Sequence, residues 1–398
     1  MTLTLASHLE VDNGQTLTLE GSIVNQGTLS LVGNGAGFPG DIPNSTAFLD
    51  VSGTATLSGR GTLSLSDGSG NGFSATEVVT GTVASDTLDN FDNTISGYGQ
   101  LDDGLMTLKN EAKGTINATG GILTVDTGKN SIVNKHLIEA TSGVLDLRSN
   151  VTNAGGTITG TAATVELDGM TVSGGTLSNS AGGVIQVIGT ATLDGTATAV
   201  TLTSGTQLVI GNGNTLILKG SVTDQGSITD AGTLINNNAL SGSITISGPG
   251  LFSNLAGAKV TGAVTATAAG ETIANLGTVT GAVTLAGSDL LITGAGAVFT
   301  GGIKDNGGNN ALEIAKGPFT LTKFDAAGTA QFTSLQIDAG VKVTTDATDI
   351  FTGVAVDNLA PSTRPVCCMS RSTPPRRPPP GNRTLPPHRT AAVRTPTT

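Results

Sequence analysis

The sequence predicts an all-β protein: a right-handed parallel β-helix (β-solenoid) over residues 1–360, followed by a disordered C-terminal tail. Three observations lead to this prediction: short apolar-polar alternation, recurrent turn motifs, and an unusual composition. Gly supplies 58 of the 398 residues, whereas aromatic residues make up 3% and charged residues 12%. A typical soluble domain has about 25% charged residues. The mean hydropathy is nevertheless slightly positive, which excludes an intrinsically disordered body.

Short strands are predicted wherever apolar residues alternate with small or polar ones, because alternate side chains of a strand point to opposite faces. Examples are Leu17–Leu19, Leu63–Leu65, Leu145–Leu147, Val165–Leu167 and Ile244–Ile246. No segment carries an apolar stripe of helical period and helical length. We therefore expect almost no helix.

The turns between these strands share a motif: Asn or Asp, any residue, Gly, Thr or Ser, and then an aliphatic residue. Copies begin at Asn25, Asp224, Asp230 and Asn275. Asn and Asp tolerate a left-handed turn, Gly supplies a positive φ, and the aliphatic residue returns the chain to the core. We expect a strand to start after each copy.

A large duplication is visible in the chain. Val11–Ser30 aligns without a gap with Ile210–Thr229, at an offset of 199 residues. The sequence therefore contains a large unit nearly twice.

A shorter repeat lies inside this unit. Ile116, Ile138, Ile158 and Leu177 follow similar turns at spacings of 22, 20 and 19 residues, which predicts rungs of about 20 residues. With ten Phe, one Tyr and no Trp, the thin core of a solenoid is favoured over a string of antiparallel β-sandwiches. Stacking at ~4.8 Å gives roughly 17 rungs and roughly 80 Å, with the right-handed crossover usual for parallel strands.

Residues 361–398 have a different composition. They hold ten of the fourteen prolines, seven Arg and no acidic residue. Because Pro donates no ladder hydrogen bond, we predict disorder there. The abrupt change at Ala360–Pro361 leaves two interpretations open, a genuine basic tail or a terminus translated in a shifted frame.

Charge and cysteine content limit the partners and the compartment. Of the total formal charge of −11, the seven tail arginines leave −18 for residues 1–360, which argues against nucleic-acid binding. Cys367 and Cys368 are neighbours in the tail, so the body folds without a disulfide. No apolar run is long enough for a transmembrane helix. Met1–Asn13 lacks the features of a signal peptide, so the leader of an exported protein would lie outside this sequence.

Few residues are candidates for chemistry. Asp102 and Asp103 are the only adjacent acidic pair in residues 1–360. Paired carboxyl groups catalyse glycoside hydrolysis, but a solvated turn is the favoured interpretation of this pair. His8 and His136 are the only histidines of the body, and neither stands in a metal-binding motif.

A weak calcium candidate begins at Asp67, with Ser69 and Asn71 as further oxygen ligands. The acid expected at the twelfth position of a calcium loop is missing, because Val78 stands there and Glu77 comes one residue early. We therefore expect no metal, no cofactor and no catalytic residue.

The segments Asp89–Leu101, Met106–Leu108 and Gly114–Thr119 resemble the repeats of very large bacterial exported proteins. Units reading Asn-x-Ile-x-Gly-x-Gly and Gly-x-Ile-x-Ala-x-Gly-Gly recur in autotransporter passengers and in filamentous-haemagglutinin-like adhesins. The resemblance covers most of residues 10–360. It implies a stalk that is secreted or associated with the outer membrane at a Gram-negative cell surface. A C-terminal outer-membrane barrel, often present in such families, is absent from this sequence, which leaves the mode of anchoring open.

Three functions follow as hypotheses. The first is a non-catalytic structural or adhesive stalk module that contacts an extracellular surface, matrix or glycan. The second is a β-helix lyase or hydrolase acting on polysaccharide, which requires Asp102 and Asp103 to meet a basic residue in one groove. The third is an inert spacer fragment. The sequence leaves the oligomeric state open.

Overall fold

The computed structural model describes residues 1–33, 46–66, 77–320 and 332–344, together with the backbone of residues 355–358. Within these residues the chain forms strands, turns and bends, and no helix. The strands stack as a parallel β-solenoid of about 15 turns. The predicted fold class is therefore confirmed.

The strands are short, and turns of a few residues separate most of them. The first eleven are β1 Thr2–Leu3, β2 His8–Asp12, β3 Thr16–Asn25, β4 Thr28–Val32, β5 Ala47–Ser58, β6 Thr62–Ser66, β7 Glu77–Gly81, β8 Asp86–Asn90, β9 Thr94–Asp103, β10 Met106–Asn110 and β11 Thr115–Asp126. The next fourteen are β12 Ile132–Asn134, β13 Leu137–Ala140, β14 Val144–Leu147, β15 Val151–Thr152, β16 Thr157–Thr161, β17 Thr164–Asp168, β18 Thr171–Ser173, β19 Gly175–Ser180, β20 Val184–Ile188, β21 Thr190–Leu202, β22 Gln207–Ile210, β23 Thr215–Asp224, β24 Ser227–Asp230 and β25 Thr233–Asn236. The last sixteen are β26 Ala239–Ser241, β27 Ile244–Ile246, β28 Leu251–Asn254, β29 Lys259–Val260, β30 Val264–Ala266, β31 Thr272–Asn275, β32 Thr278–Val279, β33 Val283–Leu285, β34 Leu290–Gly294, β35 Val298–Phe299, β36 Ile303–Asp305, β37 Ala311–Lys316, β38 Phe319–Thr320, β39 Ser334–Ile337, β40 Val343–Thr344 and β41 Ala355–Asn358.

Three parallel sheets, here called faces 1, 2 and 3, form the sides of the solenoid. Face 1 consists of β2, β4, β6, β9, β11, β13, β16, β19, β21, β23, β26, β29, β32 and β35. Face 2 consists of β3, β5, β7, β9, β11, β14, β17, β20, β22, β24, β27, β30, β33 and β36. Face 3 consists of β1, β3, β5, β8, β10, β12, β15, β18, β21, β23, β25, β28, β31, β34, β37, β39 and β41. The six strands that appear twice bend at a corner and contribute one half to each of two faces.

Columns of aliphatic side chains, stacked from rung to rung, form the core. On face 1 the column is Leu9, Leu29, Leu63, Ile95, Ile116, Ile138, Ile158, Leu177 and Leu202, each in register with the next. All of them except Leu9 are buried. The four residues whose spacing predicts the length of a rung are consecutive members of this column. Each of those spacings therefore corresponds to one turn of the solenoid.

The number of rungs is slightly smaller than predicted. Leu29 is in register with Leu63, and Leu63 with Ile95, although both steps use considerably more chain than the predicted rung. Because these two rungs are long, the chain forms about 15 turns, whereas the predicted rung length gives roughly 17. The handedness of the crossover stays a prediction.

The repeated turn motif has the expected structure. In each of the four copies the side-chain Oδ1 accepts a hydrogen bond from the backbone N–H two residues further on, at 2.9–3.1 Å. The acceptors are Asn25, Asp224, Asp230 and Asn275. A strand begins three residues after each of them, at the start of β4, β24, β25 and β32. The side chain thus closes the corner from which the next strand starts.

The two copies of the duplicated segment have similar strands on different faces. β3 and β23 begin at the equivalent residues Thr16 and Thr215, and both bend at a glycine with positive φ, Gly21 (68°) and Gly220 (62°). β3 joins face 2 to face 3, whereas β23 joins face 3 to face 1. The second copy is therefore displaced by one face around the axis, which requires the three faces to have similar backbone geometry.

Buried asparagines stack at the corner between faces 3 and 1, a feature that the sequence did not predict. Asn90 Nδ2 donates to Asn110 Oδ1 at 2.9 Å, Asn110 Nδ2 to Asn134 Oδ1 at 2.9 Å, and Asn134 Nδ2 to Asn153 Oδ1 at 2.7 Å. These four residues, the first asparagine ladder, are 0% exposed. Because each bond joins two neighbouring rungs, the ladder fixes the stacking of this corner.

A second asparagine ladder occupies the same corner in the later rungs. Asn236 Nδ2 donates to Asn254 Oδ1, and Asn254 Nδ2 donates to Asn275 Oδ1, both at 2.8 Å. The residues lie at the ends of β25, β28 and β31, all on face 3. The corner between faces 3 and 1 is therefore built in the same way over much of the described solenoid.

The predicted boundary at Ala360–Pro361 and the predicted disordered tail, residues 361–398, lie outside the described residues. The same holds for Cys367 and Cys368. These predictions stay untested.

Candidate functional site

Asp102, one of the two candidate acids, is buried at the end of β9 and has a positive φ of 72°. Its carboxylate accepts hydrogen bonds from the backbone N–H groups of Asp103 at 2.8 Å, Leu105 at 3.0 Å and Met106 at 2.7 Å. Burial raises the pKa of Asp102, and these hydrogen bonds oppose the shift. The carboxylate closes the turn between β9 and β10, so its oxygens are committed to the backbone.

Asp103 points to a different environment, on the outer side of face 2. Thr80 Oγ1 donates to Asp103 Oδ1 at 2.6 Å, and Thr80 is in register with Asp50 on the preceding strand. Burial raises the pKa of Asp50, and the nearby charge of Asp103 raises it further. Thr80 Oγ1 is also 3.2 Å from Asp102 Oδ1, so the two carboxyl groups share this hydroxyl, although the Asp102 carboxylate is in addition bound by three backbone N–H groups.

A row of acidic side chains continues along face 2 from this point. We call its six members the acidic face: Asp50, Asp103, Asp126, Asp146, Glu166 and Asp168. Asp126 is in register with Asp103, and Glu166 with Asp146. Neighbouring rungs lie ~4.8 Å apart. Six carboxyl groups are thus gathered on one side of the solenoid between β5 and β17.

Arg148 is bonded within the acidic face. Its Nη2 is 2.7 Å from Asp146 Oδ2, and its Nε is 2.8 Å from the same oxygen and 3.6 Å from Asp168 Oδ2. The Arg148 side chain is 50% exposed, whereas that of Asp146 is 4% exposed. The guanidinium of Arg148 therefore neutralises part of the carboxylate row and is already engaged with two of the acids.

Three charged neighbours, Asp146, Asp168 and Arg148, affect the pKa of Glu166. Burial raises its pKa, and the charges of Asp146 and Asp168 raise it further, while the charge of Arg148 lowers it.

A lyase or hydrolase would require Asp102 and Asp103 to meet a basic residue. In the described part of the chain Arg148 is instead bonded to Asp146 and Asp168, which lie two or more rungs beyond Asp102 and Asp103.

The histidines lie apart from the acidic face. His8 Nε2 is 2.9 Å from Ser30 Oγ and 3.7 Å from Glu10 Oε2, on face 1. His136 Nδ1 is 3.0 Å from the backbone oxygen of Gly114, in the turn that precedes β13. Among the residues with described positions, no group of three or more His, Cys, Asp or Glu side chains is placed to hold a metal ion. The calcium candidates Asp67, Ser69 and Asn71 lie outside the described residues and stay a prediction.

Face 1 carries a second regular surface, made largely of hydroxyl groups. In one file the in-register outward residues are Thr28, Thr62, Thr94, Thr115, Leu137, Thr157, Thr176 and Thr201. In the other they are Ser30, Ser64, Ser96, Asn117, Glu139, Thr159 and Ser178. We call these two files the hydroxyl face. Glu139 is its one charged member, so the hydroxyl face is almost neutral from β4 to β21, although the same files continue on β2 with His8 and Glu10.

The comparisons with known proteins give no relative. No protein-family model, no curated protein and no solved structure matches the chain. Among the described residues there is also no helix long and apolar enough to cross a membrane.

Proposed function

We propose that the chain is a structural and adhesive stalk module of a secreted or cell-surface bacterial protein, and that it is not an enzyme. The observation that supports this proposal is the regular stack of about 15 rungs, whose core column on face 1 stays in register from Leu9 to Leu202. In such stacks each rung contacts its neighbours, so length is gained by adding rungs. Length and regularity are what a stalk requires.

The hydroxyl face supports the adhesive part of the proposal. Its residues form two parallel files with a repeat of ~4.8 Å along the axis and ~6.7 Å across the strand. Hydroxyl groups both donate and accept hydrogen bonds, so this face can contact matrix or glycan hydroxyls without a charge preference. The proposed partner is therefore an uncharged extracellular surface, matrix or glycan.

The acidic face supports the exclusion of nucleic acid as a partner. The six acids repel phosphate, one half-exposed arginine offsets this repulsion only in part, and the formal charge of the whole chain is −11. A polysaccharide-active enzyme receives less support, because Asp102 is bound by three backbone N–H groups and Arg148 is bonded to Asp146 and Asp168. An exported location is proposed from the sequence resemblance to bacterial surface proteins.

A comparison of attachment tests the stalk. The parent strain, a strain lacking the gene, and the deletion strain complemented with the full chain are compared for attachment to matrix and for biofilm formation. We expect the deletion to reduce attachment and the wild-type gene to restore it. A triple variant Thr94→Lys, Thr115→Lys and Thr157→Lys should fail to restore it while retaining the wild-type circular dichroism spectrum. Unchanged attachment in the deletion strain contradicts the proposal.

A second measurement addresses catalysis. The purified full chain is incubated with neutral and acidic polysaccharides, and the length of the polysaccharide is followed by size-exclusion chromatography. We expect no shortening. Shortening by the wild-type chain that is lost in the Asp103→Asn variant would favour the enzyme hypothesis instead.

A further inference from the structure

One rung of the solenoid differs from its neighbours in the chemistry of its corners. Asp224 lies at the corner between faces 1 and 2, Asp230 at the corner between faces 2 and 3, and Asn236 at the corner between faces 3 and 1. Asn236 is a member of the second asparagine ladder. The two aspartates have no such ladder, because Asp230 is in register with Ile210 and Ile246, and Asp224 with Leu202.

Both carboxyl groups are buried and only partly hydrogen-bonded. Asp224 is 6% exposed and Asp230 is 0% exposed. Oδ1 of each accepts the turn N–H, from Gly226 and Gly232, at 2.9 Å. Oδ2 of each is buried with no hydrogen-bond partner among the described residues. A carboxylate in this position is costly, whereas a protonated carboxyl group is tolerated more easily.

The first copy of the duplicated segment forms an equivalent rung without carboxyl groups at these two positions. At the offset of 199 residues Asp224 corresponds to Asn25, and Asp230, one residue beyond the aligned segment, corresponds to Leu31. Leu31 is buried in an aliphatic column between Val11 and Leu65. The strands around both pairs begin at equivalent positions. The second copy therefore has two residues whose charge depends on pH, where the first copy has two uncharged residues.

Among the residues that the structure describes, no opposite charge faces either carboxyl group. The strands packed on this rung are β21 and β22 on one side and β26 and β27 on the other, with β25 continuing the rung itself. Apart from the two aspartates, the charged residues of these strands and of β23 are Asp194 and Lys219, which are in register with each other on face 3. The intervening turns, 203–206, 211–214, 225–226, 231–232, 242–243 and 247–250, contain no Asp, Glu, Lys, Arg or His. Neither aspartate therefore has a counter-ion on these elements.

We propose that residues 222–246 form a pH-sensitive joint in the solenoid, which is firmly closed when Asp224 and Asp230 carry protons and opens locally more often when they ionise. Burial raises the pKa of Asp224 to about 6 and that of Asp230 to about 7, against partial opposition from the turn N–H groups. These values place the change of charge near neutral pH. Because a solenoid is stabilised between nearest neighbours, one rung can open without the whole stack.

The sign of the effect follows from proton linkage. In the open rung both carboxyl groups have the ordinary pKa of about 3.9, and in the closed rung the pKa is higher. Between these values the closed rung holds more protons than the open one, so its stability falls as the pH rises. The loss begins above about pH 4 and is complete above about pH 7.

Hydrogen exchange of the full-length chain tests the joint. Exchange is measured by mass spectrometry at about pH 5 and about pH 8, and rates are corrected for the intrinsic pH dependence of amide exchange. We expect the opening constant of residues 222–246 to rise about 100-fold or more between these conditions. The equivalent rung of the first copy, in β3 and β4, carries Asn25 and Leu31. It serves as the control within the same molecule and should change far less.

A matched variant completes the test. In the double variant Asp224→Asn and Asp230→Asn, each Oδ1 can still accept the turn N–H, as Asn25 does at 3.1 Å. We expect the pH dependence of residues 222–246 to fall to that of the control rung. A wild-type joint with the same pH response as the control rung overturns the proposal, and so does a folded double variant with the full wild-type response. If the double variant does not fold, the comparison of the two rungs in the wild type decides alone.

Discussion

Asn110 Nδ2 donates to Oδ1 of Asn134 at 2.9 Å, one turn further along the solenoid. The same nitrogen donates to the backbone oxygen of Leu137 at 2.9 Å, and Asn110 Oδ1 accepts from Asn90 Nδ2 at 2.9 Å. One buried amide thus connects three consecutive rungs. Because water cannot replace a lost partner at a fully buried position, the ladder makes the stacking of this corner specific.

Replacing Asn110 by Ala should destabilise the solenoid by about 2–3 kcal/mol, because it removes three buried hydrogen bonds, those with Asn90 Nδ2, Asn134 Oδ1 and the backbone oxygen of Leu137. Urea denaturation followed by circular dichroism measures the effect. The control is Asn237→Ala, an exposed asparagine in a turn of the same corner. We expect this control to change the urea midpoint very little. Equal midpoints for the two variants would contradict the role given to the ladder.

The two corner glycines should respond differently to the same substitution. Gly21 and Gly220 both have positive φ, 68° and 62°, so Ala at either position is strained by about 1–2 kcal/mol. A Cβ at Gly21 meets nothing within 4 Å, whereas a Cβ at Gly220 overlaps the backbone of Gly195 and Thr196. We expect Gly220→Ala to lower the melting temperature clearly more than Gly21→Ala. The opposite order would mean that the corners of β3 and β23 are not packed as described.

Truncation of a core column should cost more than truncation of the adjacent outward file. Ile158 is fully buried between Ile138 and Leu177, so Ile158→Ala should cost about 2–5 kcal/mol. Thr157 is the preceding residue on the same strand and points outward. Thr157→Ala should cost less than about 1 kcal/mol. Thermal unfolding of both variants tests which side chains of β16 point inward and which outward. A larger loss of stability for Thr157→Ala than for Ile158→Ala would contradict this assignment on face 1.

Acid should destabilise the early rungs through Asp86. This buried carboxylate accepts hydrogen bonds from Gly53 N and Val83 N at 2.8 Å and from Thr82 Oγ1 at 2.7 Å. Burial alone would raise the pKa of Asp86, but these hydrogen bonds outweigh it and hold the pKa below its ordinary value. The stabilisation is therefore present above about pH 4 and is lost as the pH falls through the lowered pKa.

Urea midpoints between about pH 2 and pH 5 measure this loss. We expect Asp86→Asn to be less stable than the wild type at pH 5 and to lose less stability on acidification. The exposed residue Asp12 provides the matched control, Asp12→Asn, whose acid sensitivity should equal that of the wild type. An unchanged acid response in Asp86→Asn would remove Asp86 as its cause.

Most of the fold is predictable from the sequence because it is built from local repeats. The motif beginning at Asn25 or Asp230 closes a corner by a bond to the N–H two residues on, and this depends on neighbouring residues alone. The column through Ile116 and Ile138 follows from the repeat period of the sequence. The asparagine ladder could not be predicted in the same way, since Asn134 and Asn153 meet through a corner whose position depends on the register of every preceding rung.

The candidate site was predictable only in part. Asp102 and Asp103 are adjacent in sequence and both accept from Thr80 Oγ1, but Asp102 has a positive φ and its carboxylate also accepts three backbone N–H groups. The rest of the acidic face carries a signal in the spacing of its residues. Asp146 and Glu166, which are in register, are 20 residues apart, and Asp103 and Asp126, also in register, are 23 residues apart, both close to the length of one rung. Aligning the acidic residues of the sequence at this repeat period would have predicted that they lie close together on one face.

Distances between spin labels on the hydroxyl face test the parallel, in-register stack most directly. Labels are placed at Thr28 and Thr157, five rungs apart, and at Thr28 and Thr201, seven rungs apart. The native cysteines Cys367 and Cys368 are replaced by Ser for this experiment. The solenoid predicts mean backbone separations of about 24 Å and about 34 Å, an increase of ~4.8 Å per rung. Separations that do not increase with the number of intervening rungs would contradict a continuous parallel β-solenoid.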